Sequence, residues 1–386
     1  MRARRRPRSV HFSVEPAEVL EVRTVLSATA IGSLASSALS SASVLSPAQA
    51  SIVSHLAAAP NVNVSTVPAV NGDLNPYGVA FVPEGVALGG KLHPGDILVS
   101  NFNNSNNQQG TGTTIVEISP DGHQSLFFQG PTGLGLTTAL TVLKNGFVLV
   151  GNLPTTDGTS ATAQQGSLLV LNKNGRIVAN LTSATKLDGP WDLTAYSQGN
   201  LAFVFVSNVL NGTVSRLDLF FSPFGNGVRV LSKTTIASGY IFHGDPNALE
   251  IGPTGLAFDP LHDLLYVAST GDNAIFSIPN ALLRNTSAGV GKVVFNDPTH
   301  LHGPLGLVLL PDGNLIAANG DAVNPDPNHP SELVEFTPSG KFVGQVSIDP
   351  SPDGPFGIAV QVQGDDIVFA AVDDNTNTLK IWEFEG

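Results

Sequence analysis

The chain has 386 residues and no cysteine, so disulfides and thiol chemistry are excluded. Forty glycines and 27 prolines against 13% charged residues point to many turns and short strands rather than long helices. The formal net charge is −13, and beyond residue 60 the chain carries 12 basic and 28 acidic residues, an acidic body that repels phosphate backbones and excludes nucleic acid as a partner.

Residues 1–60 read as a leader. "MRARRRPR" supplies a basic start, "TVLSATAIGSLASSALSSASVLSPAQA" at 24–50 a mildly apolar Ala/Ser run, and A-x-A at 48–50 a small-residue ending. There is no apolar run of 18 residues, so no transmembrane segment is expected. The stretch is set apart from the fold, which is assigned to residues 61–386.

Next comes "NVNVSTV" at 61–67, which alternates like an edge strand. The following sequence repeats. "NPYGVAF" at 75–81 is echoed by "GPWDLTA" at 189–195, "GPTGLAF" at 252–258, "GPLGLVL" at 303–309 and "GPFGIAV" at 354–360, with a degenerate copy at "LTTALTV", 136–142. Pro76, Leu136, Pro190, Pro253, Pro304 and Pro355 mark the copies. Each opens a block of short apolar runs separated by turn signals such as "PDGN" and "TPSG". Six copies of a four-strand unit predict an all-β fold, a six-bladed β-propeller of antiparallel blades. The last block holds three runs, "GIAVQV", "DIVFAAV" and "KIWEFE", so the 61–67 strand is expected to complete the sixth blade and spare it an open edge. The repeated leader should line the central channel, where glycine leaves room between crowded backbones.

The segment "PTGLAFDPLHDLLYVASTGDNAIFSI" at 253–278 resembles the NHL repeat and the related SMP-30/gluconolactonase propellers, and "VEPAEVLEVRTVLSA" at 14–28 resembles a motif near the start of exported bacterial surface proteins. The first resemblance implies a propeller that hosts either a binding site or metal-dependent hydrolase or lyase chemistry. The second implies export, to the periplasm, the cell surface or the medium. Gluconolactonases draw metal ligands from Glu-Gly-Pro and Pro-Asn-Gly motifs; the corresponding letters here are Asn75-Pro76-Tyr77 and Pro253-Thr254-Gly255. NHL-like amidating lyases hold zinc with channel histidines, whereas the histidines here fall between strands.

Candidate site residues follow from position. The second strands end in "ILVSN", "VLVGN", "VFVSN", "LYVAS", "LIAAN" and "VFAAV", which puts Asn101, Asn152, Asn208 and Asn319 at one equivalent point, with Ser269 and Val372 in the other two blades. These asparagines either bond their own turn backbone or form a carboxamide ring for a glycan or Ca²⁺. Asp192 stands where four blades have glycine, matched by Thr138 in the second, and a carboxylate facing the channel is the candidate catalytic group. His243 and Asp245 in "HGDP", His300 and His302 in "THLHGP", and His329 in "NPDPNHP" fall in one sector of the face that carries the leaders, a composition suited to Zn²⁺ or another divalent cation such as calcium.

Three readings remain open: an exported, monomeric propeller that binds a small molecule, glycan or protein on its leader-bearing face; a metal-dependent hydrolase or lyase using Asp192 and a channel cation; and a surface protein with no small-molecule site.

Overall fold

A computed structural model describes residues 51–386 except 88, 224 and 226. The leader features at 1–50, including the signal-like run and the export motif, lie outside the described residues. Among the described residues, no helix is long and apolar enough to cross a membrane.

Six four-stranded antiparallel sheets are arranged in chain order, each beginning at one copy of the repeated leader. The inner strands are Leu74–Phe81, Leu136–Val142, Pro190–Gln198, Pro253–Asp259, Pro304–Leu309 and Pro355–Gln363. The chain is therefore a six-bladed β-propeller, and the seven-letter echo is the innermost strand of each blade. In the sixth blade the outermost strand is Val62–Ser65, which pairs antiparallel with the last strand, Thr378–Glu385, in the register Val62 to Ile381 and Val64 to Leu379.

The echo has a geometric reason. Each inner strand is irregular just after its leader residue. Between Pro190 and Leu193 it advances three residues while its partner advances two, from Asn208 to Val206. A register shift recurs after Pro76, Pro253, Pro304 and Pro355, and a wider one separates Leu136 from Leu140. Such a bulge bends the strand and re-aims its side chains. The glycine within it permits contact between neighbouring blades. A Cβ on Gly357 would lie 2.0 Å from the Tyr77 carbonyl oxygen, one on Gly255 2.2 Å from that of Leu305, and one on Gly306 2.3 Å from that of Phe356.

Apolar residues of adjacent sheets interdigitate to form the core between blades; Phe205, Leu256, Leu265 and Phe276, for instance, pack the third blade on the fourth. Hydroxyls join the inner parts of successive blades: Ser100 Oγ donates to the Thr137 carbonyl at 2.9 Å, Thr137 Oγ1 to Pro190 at 2.9 Å, and Thr254 Oγ1 to Pro304 at 2.9 Å.

Residues 51–60, assigned from sequence to the leader, are instead part of the propeller's packing. A short helix, Ile52–Leu56, buries Ile52, Val53 and Leu56 against the fifth and sixth blades. Glu335 Oε2 accepts from Ser51 Oγ at 2.7 Å and from the Val53 N–H at 3.1 Å. Trp382 Nε1 donates to the Ala58 carbonyl at 2.9 Å, and His55 stacks on Phe384 at 4.5 Å. The helix has only five residues and no apolar periodicity of its own to reveal it.

Candidate functional site: the central channel

The leader end of the channel is closed. Tyr77, Trp191 and Phe356, the residues directly after the leader prolines in their blades, converge there with Phe102. Their ring centroids are 4.4 Å apart for Tyr77 and Phe356, 4.7 Å for Tyr77 and Phe102, and 5.6 Å for Phe102 and Trp191. All four are buried. This plug seals the channel mouth on the face where a ligand site was expected from sequence.

The open part of the channel is the other half. A cavity of about 350 Å³ is lined by the inner strands from the bulge onward, including Val79, Leu140, Leu256, Leu307 and Ile358. Phe81, Thr141, Phe258, Leu309 and Val360, nearer the strand ends, are partly exposed, so the cavity opens towards the loops that join first to second strands.

Asp192 and Thr138 both face this cavity. Thr138 Oγ1 donates to the Trp191 carbonyl at 2.5 Å. Among the described residues, Asp192 is the only ionisable side chain in the lining. Its Oδ1 accepts the Leu193 N–H at 2.7 Å, and its Oδ2 accepts the Leu256 N–H of the next blade at 3.0 Å. Burial dominates over these bonds and pushes the carboxyl up to about 7. The side chain is partly exposed, towards the cavity. The described lining offers no imidazole and no second carboxylate. A channel cation would therefore have one charged protein ligand, too few for the hydrolase arrangement considered from sequence.

The four asparagines lie elsewhere and are buried. Each pairs with the leader residue of its own blade: Asn101 with Pro76, Asn152 with Leu136, Asn208 with Pro190, Asn319 with Pro304. Their carboxamides hold the protein's own chain. Oδ1 of Asn152, Asn208 and Asn319 accepts the N–H of Gly135, Asp188 and His302, just before the inner strand of the same blade. Their Nδ2 atoms reach the start of the third strand, at Ser167, Thr213 and Glu332. Asn101 donates to the Thr66 carbonyl at 3.1 Å. The arrangement is a set of latches at the blade entries rather than a ring open to a ligand. In the sixth blade the equivalent residue is Asp373, not Val372, because Pro355 pairs with Asp373; its carboxylate meets Lys380 Nζ at 2.7 Å.

The histidines do not form one centre. His243 and Asp245 belong to a small hairpin with Leu249–Ile251, where Asp245 Oδ1 caps the N–H groups of Asn247 and Ala248. His300 is paired with Asp297 at 2.7 Å and stacked on Phe342 at 3.8 Å. His329 is paired with Asp326 at 2.8 Å. Of the four, His302 alone is buried, beside Asp326 and Glu332. Sequence reasoning passed over Glu332 and the plug residues. "SELVEF" and the aromatic letter in "NPYG", "GPWD" and "GPFG" were the signals available.

No protein-family model matches the sequence, and no curated protein matches it. Solved structures share the class that the blades define. The major allergen of Malassezia sympodialis is similar with a TM-score of 0.50 at 15% identity, over 75% of this chain and 89% of that one. A gluconolactonase from Xanthomonas campestris gives 0.49 at 13%, over 84% and 95%. The calcium-binding protein regucalcin from Agrobacterium tumefaciens gives 0.48 at 13%, over 83% and 94%. At these identities the likeness concerns the fold, and function rests on this chain's own residues.

Proposed function

We propose that the protein is an exported propeller that binds a small, largely apolar amine in its channel, entered from the face opposite the aromatic plug. One observation carries this reading: a single carboxyl, Asp192, pushed up to about 7 by burial, is the one ionisable group in a cavity of about 350 Å³ that it shares with aliphatic side chains and Thr138, Thr141 and Thr194. The size is that of a small-molecule pocket. A cationic ammonium placed against Asp192 restores the carboxylate that burial disfavours, and the aliphatic side chains of the walls, such as Leu140, Leu256 and Ile358, meet the carbon part of the ligand. The acidic body, with 12 basic and 28 acidic residues beyond residue 60, attracts such cations. Export rests on the basic, Ala/Ser-rich leader; deleting residues 2–50 should leave the protein in the cytoplasm on fractionation, and unchanged delivery would remove that part.

The test is isothermal titration of the full chain with phenethylamine and hexylamine, and with hexanol as the uncharged comparison. The amines should bind at least about tenfold more tightly than hexanol, and Asp192→Asn should erase the difference. Binding should tighten as pH rises through about 7, because Asp192 must release its proton to pair with the ammonium. Equal binding of amine and alcohol, or none at millimolar concentration, would contradict the proposal.

A further inference from the structure

A second site lies on the leader-bearing face, in the fifth blade, away from the channel cavity. His302 belongs to the connection that enters the inner strand Pro304–Leu309. Asp326 is on the loop that follows the second strand, Leu315–Asn319, and Glu332 begins the third, Glu332–Phe336. One donor atom from each of His302, Asp326 and Glu332 lies within 4.8 Å of the others.

The bonding in this pocket is incomplete. Glu332 is fully buried; its Oε2 accepts from Asn319 Nδ2 at 3.2 Å, while Oε1 is buried and has no hydrogen bond within the described protein. Asp321, also buried, accepts the N–H of Ser331 at 3.0 Å on Oδ2, while its Oδ1 likewise has no hydrogen bond. Unmatched carboxylate oxygens in a buried place are costly unless a cation or proton faces them.

His302 adds a separate mismatch. Its Nδ1 abuts the Asn324 carbonyl oxygen, and its Nε2 lies 3.2 Å from the Thr299 carbonyl oxygen. A neutral imidazole has one N–H, so it can donate to only one of them. The other nitrogen carries a lone pair that faces a carbonyl oxygen, and a small turn of the ring would free that lone pair to bind a cation held by the neighbouring carboxylates. His329 holds Asp326 at 2.8 Å, as partners that orient metal-binding carboxylates do.

We propose that His302, Asp326 and Glu332 bind one divalent transition-metal ion, with Asp321 beside it, and that this ion clips the loop at 320–331 to the entry of the fifth blade. One imidazole among carboxylates suits Zn²⁺ or Mn²⁺; Ca²⁺ prefers oxygen ligands throughout. The competing account is a permanently protonated His302 paired with the same acids.

The experiment uses the full chain, stripped with EDTA and exchanged into chelator-free buffer. Zn²⁺, Mn²⁺ and Ca²⁺ are titrated calorimetrically, and thermal unfolding is recorded with each ion at about a hundred times its Kd. Zn²⁺ or Mn²⁺ should bind one per chain, more tightly than Ca²⁺, and raise the melting temperature by about 5 °C. Glu332→Gln should weaken that binding at least about 100-fold. His93→Ala should not, although His93, Asp96 and Glu117 form the other donor group among the described residues. Should Glu332→Gln fail to fold, Co²⁺ added to the unaltered chain decides the matter. Visible d–d absorption with a shifted His302 ring resonance supports the site. Absent bands, or a His302 ring that stays protonated well above neutrality with Zn²⁺ present, overturn it.

Discussion

Alanine at Gly357 would force apart the seam where the sixth blade meets the first. The added Cβ would lie 2.0 Å from the Tyr77 carbonyl oxygen. A carbon and a carbonyl oxygen settle at about 3.3 Å, so the two inner strands must separate by about 1.3 Å. Neither side can yield alone, since both are backbone in the packed centre. Overpacking of this kind costs about 3 kcal/mol, which for a chain of this length corresponds to a fall of about 4 °C in melting temperature. Gly364→Ala is the control. Gly364 has φ +65, and nothing lies within 4 Å of the place its new methyl group would occupy, so only the backbone conformation is penalised. That costs about 1 kcal/mol, or about 2 °C. The assay is thermal unfolding of both variants beside the parent protein, followed by circular dichroism. If Gly357→Ala melts within about a degree of the parent, or above Gly364→Ala, the crowding argument for the repeated glycine fails.

Three further outcomes are expected. Asp192 has its carboxyl raised from 3.8 to about 7, so the unfolded chain loses this proton first and stability falls as pH rises between those values. Relative to Asp192→Asn, the parent should lose up to about 4 kcal/mol from about pH 4 to 8, reduced towards about 2 by water in the channel; parallel urea-unfolding profiles would contradict the assignment. Deleting residues 51–67 removes the strand Val62–Ser65 together with the buried side chains of Ile52, Val53 and Leu56, whose burial is worth about 1.5–3 kcal/mol each, so the melt should drop by more than about 10 °C, and an unchanged melt would sink the closure of the sixth blade. Asn208→Ala should cost about 2 kcal/mol in denaturant unfolding, because the Asp188 N–H loses its acceptor and Thr213 Oγ1, which keeps its bond to Asn211, loses its donor; a neutral result would argue against the latch.

Much of the architecture was legible because the strongest constraint is repeated. Every inner strand must pass close to its neighbours, so proline, glycine and an apolar run recur at similar intervals, and six copies specify six blades. The cavity's direction was not legible. It depends on whether the residue after each leader proline fills the channel, and the large rings of Tyr77, Trp191 and Phe356 do so at one end only. Asp192 was readable as a departure from glycine at a crowded position, and Thr138 with it. The asparagines were readable as a set, but whether they face ligand or backbone depends on strand pairing, which also moves the sixth member from Val372 to Asp373. The histidine-rich loops gave only nearness in sequence. Folding separates His243 from His302 and brings in Glu332, whose position at a strand start among apolar neighbours looked ordinary.

The central claim is that a desolvated carboxyl in the open half of the channel is the anchor for a ligand. Carbon-13 NMR of the aspartate carboxyls, with Asp192 assigned by its loss in Asp192→Asn, tests it most directly. The account predicts a titration midpoint of about 7 in the free protein, displaced downward by more than about one unit under saturating phenethylamine. A midpoint near the ordinary value of about 4, unmoved by the amine, would contradict it.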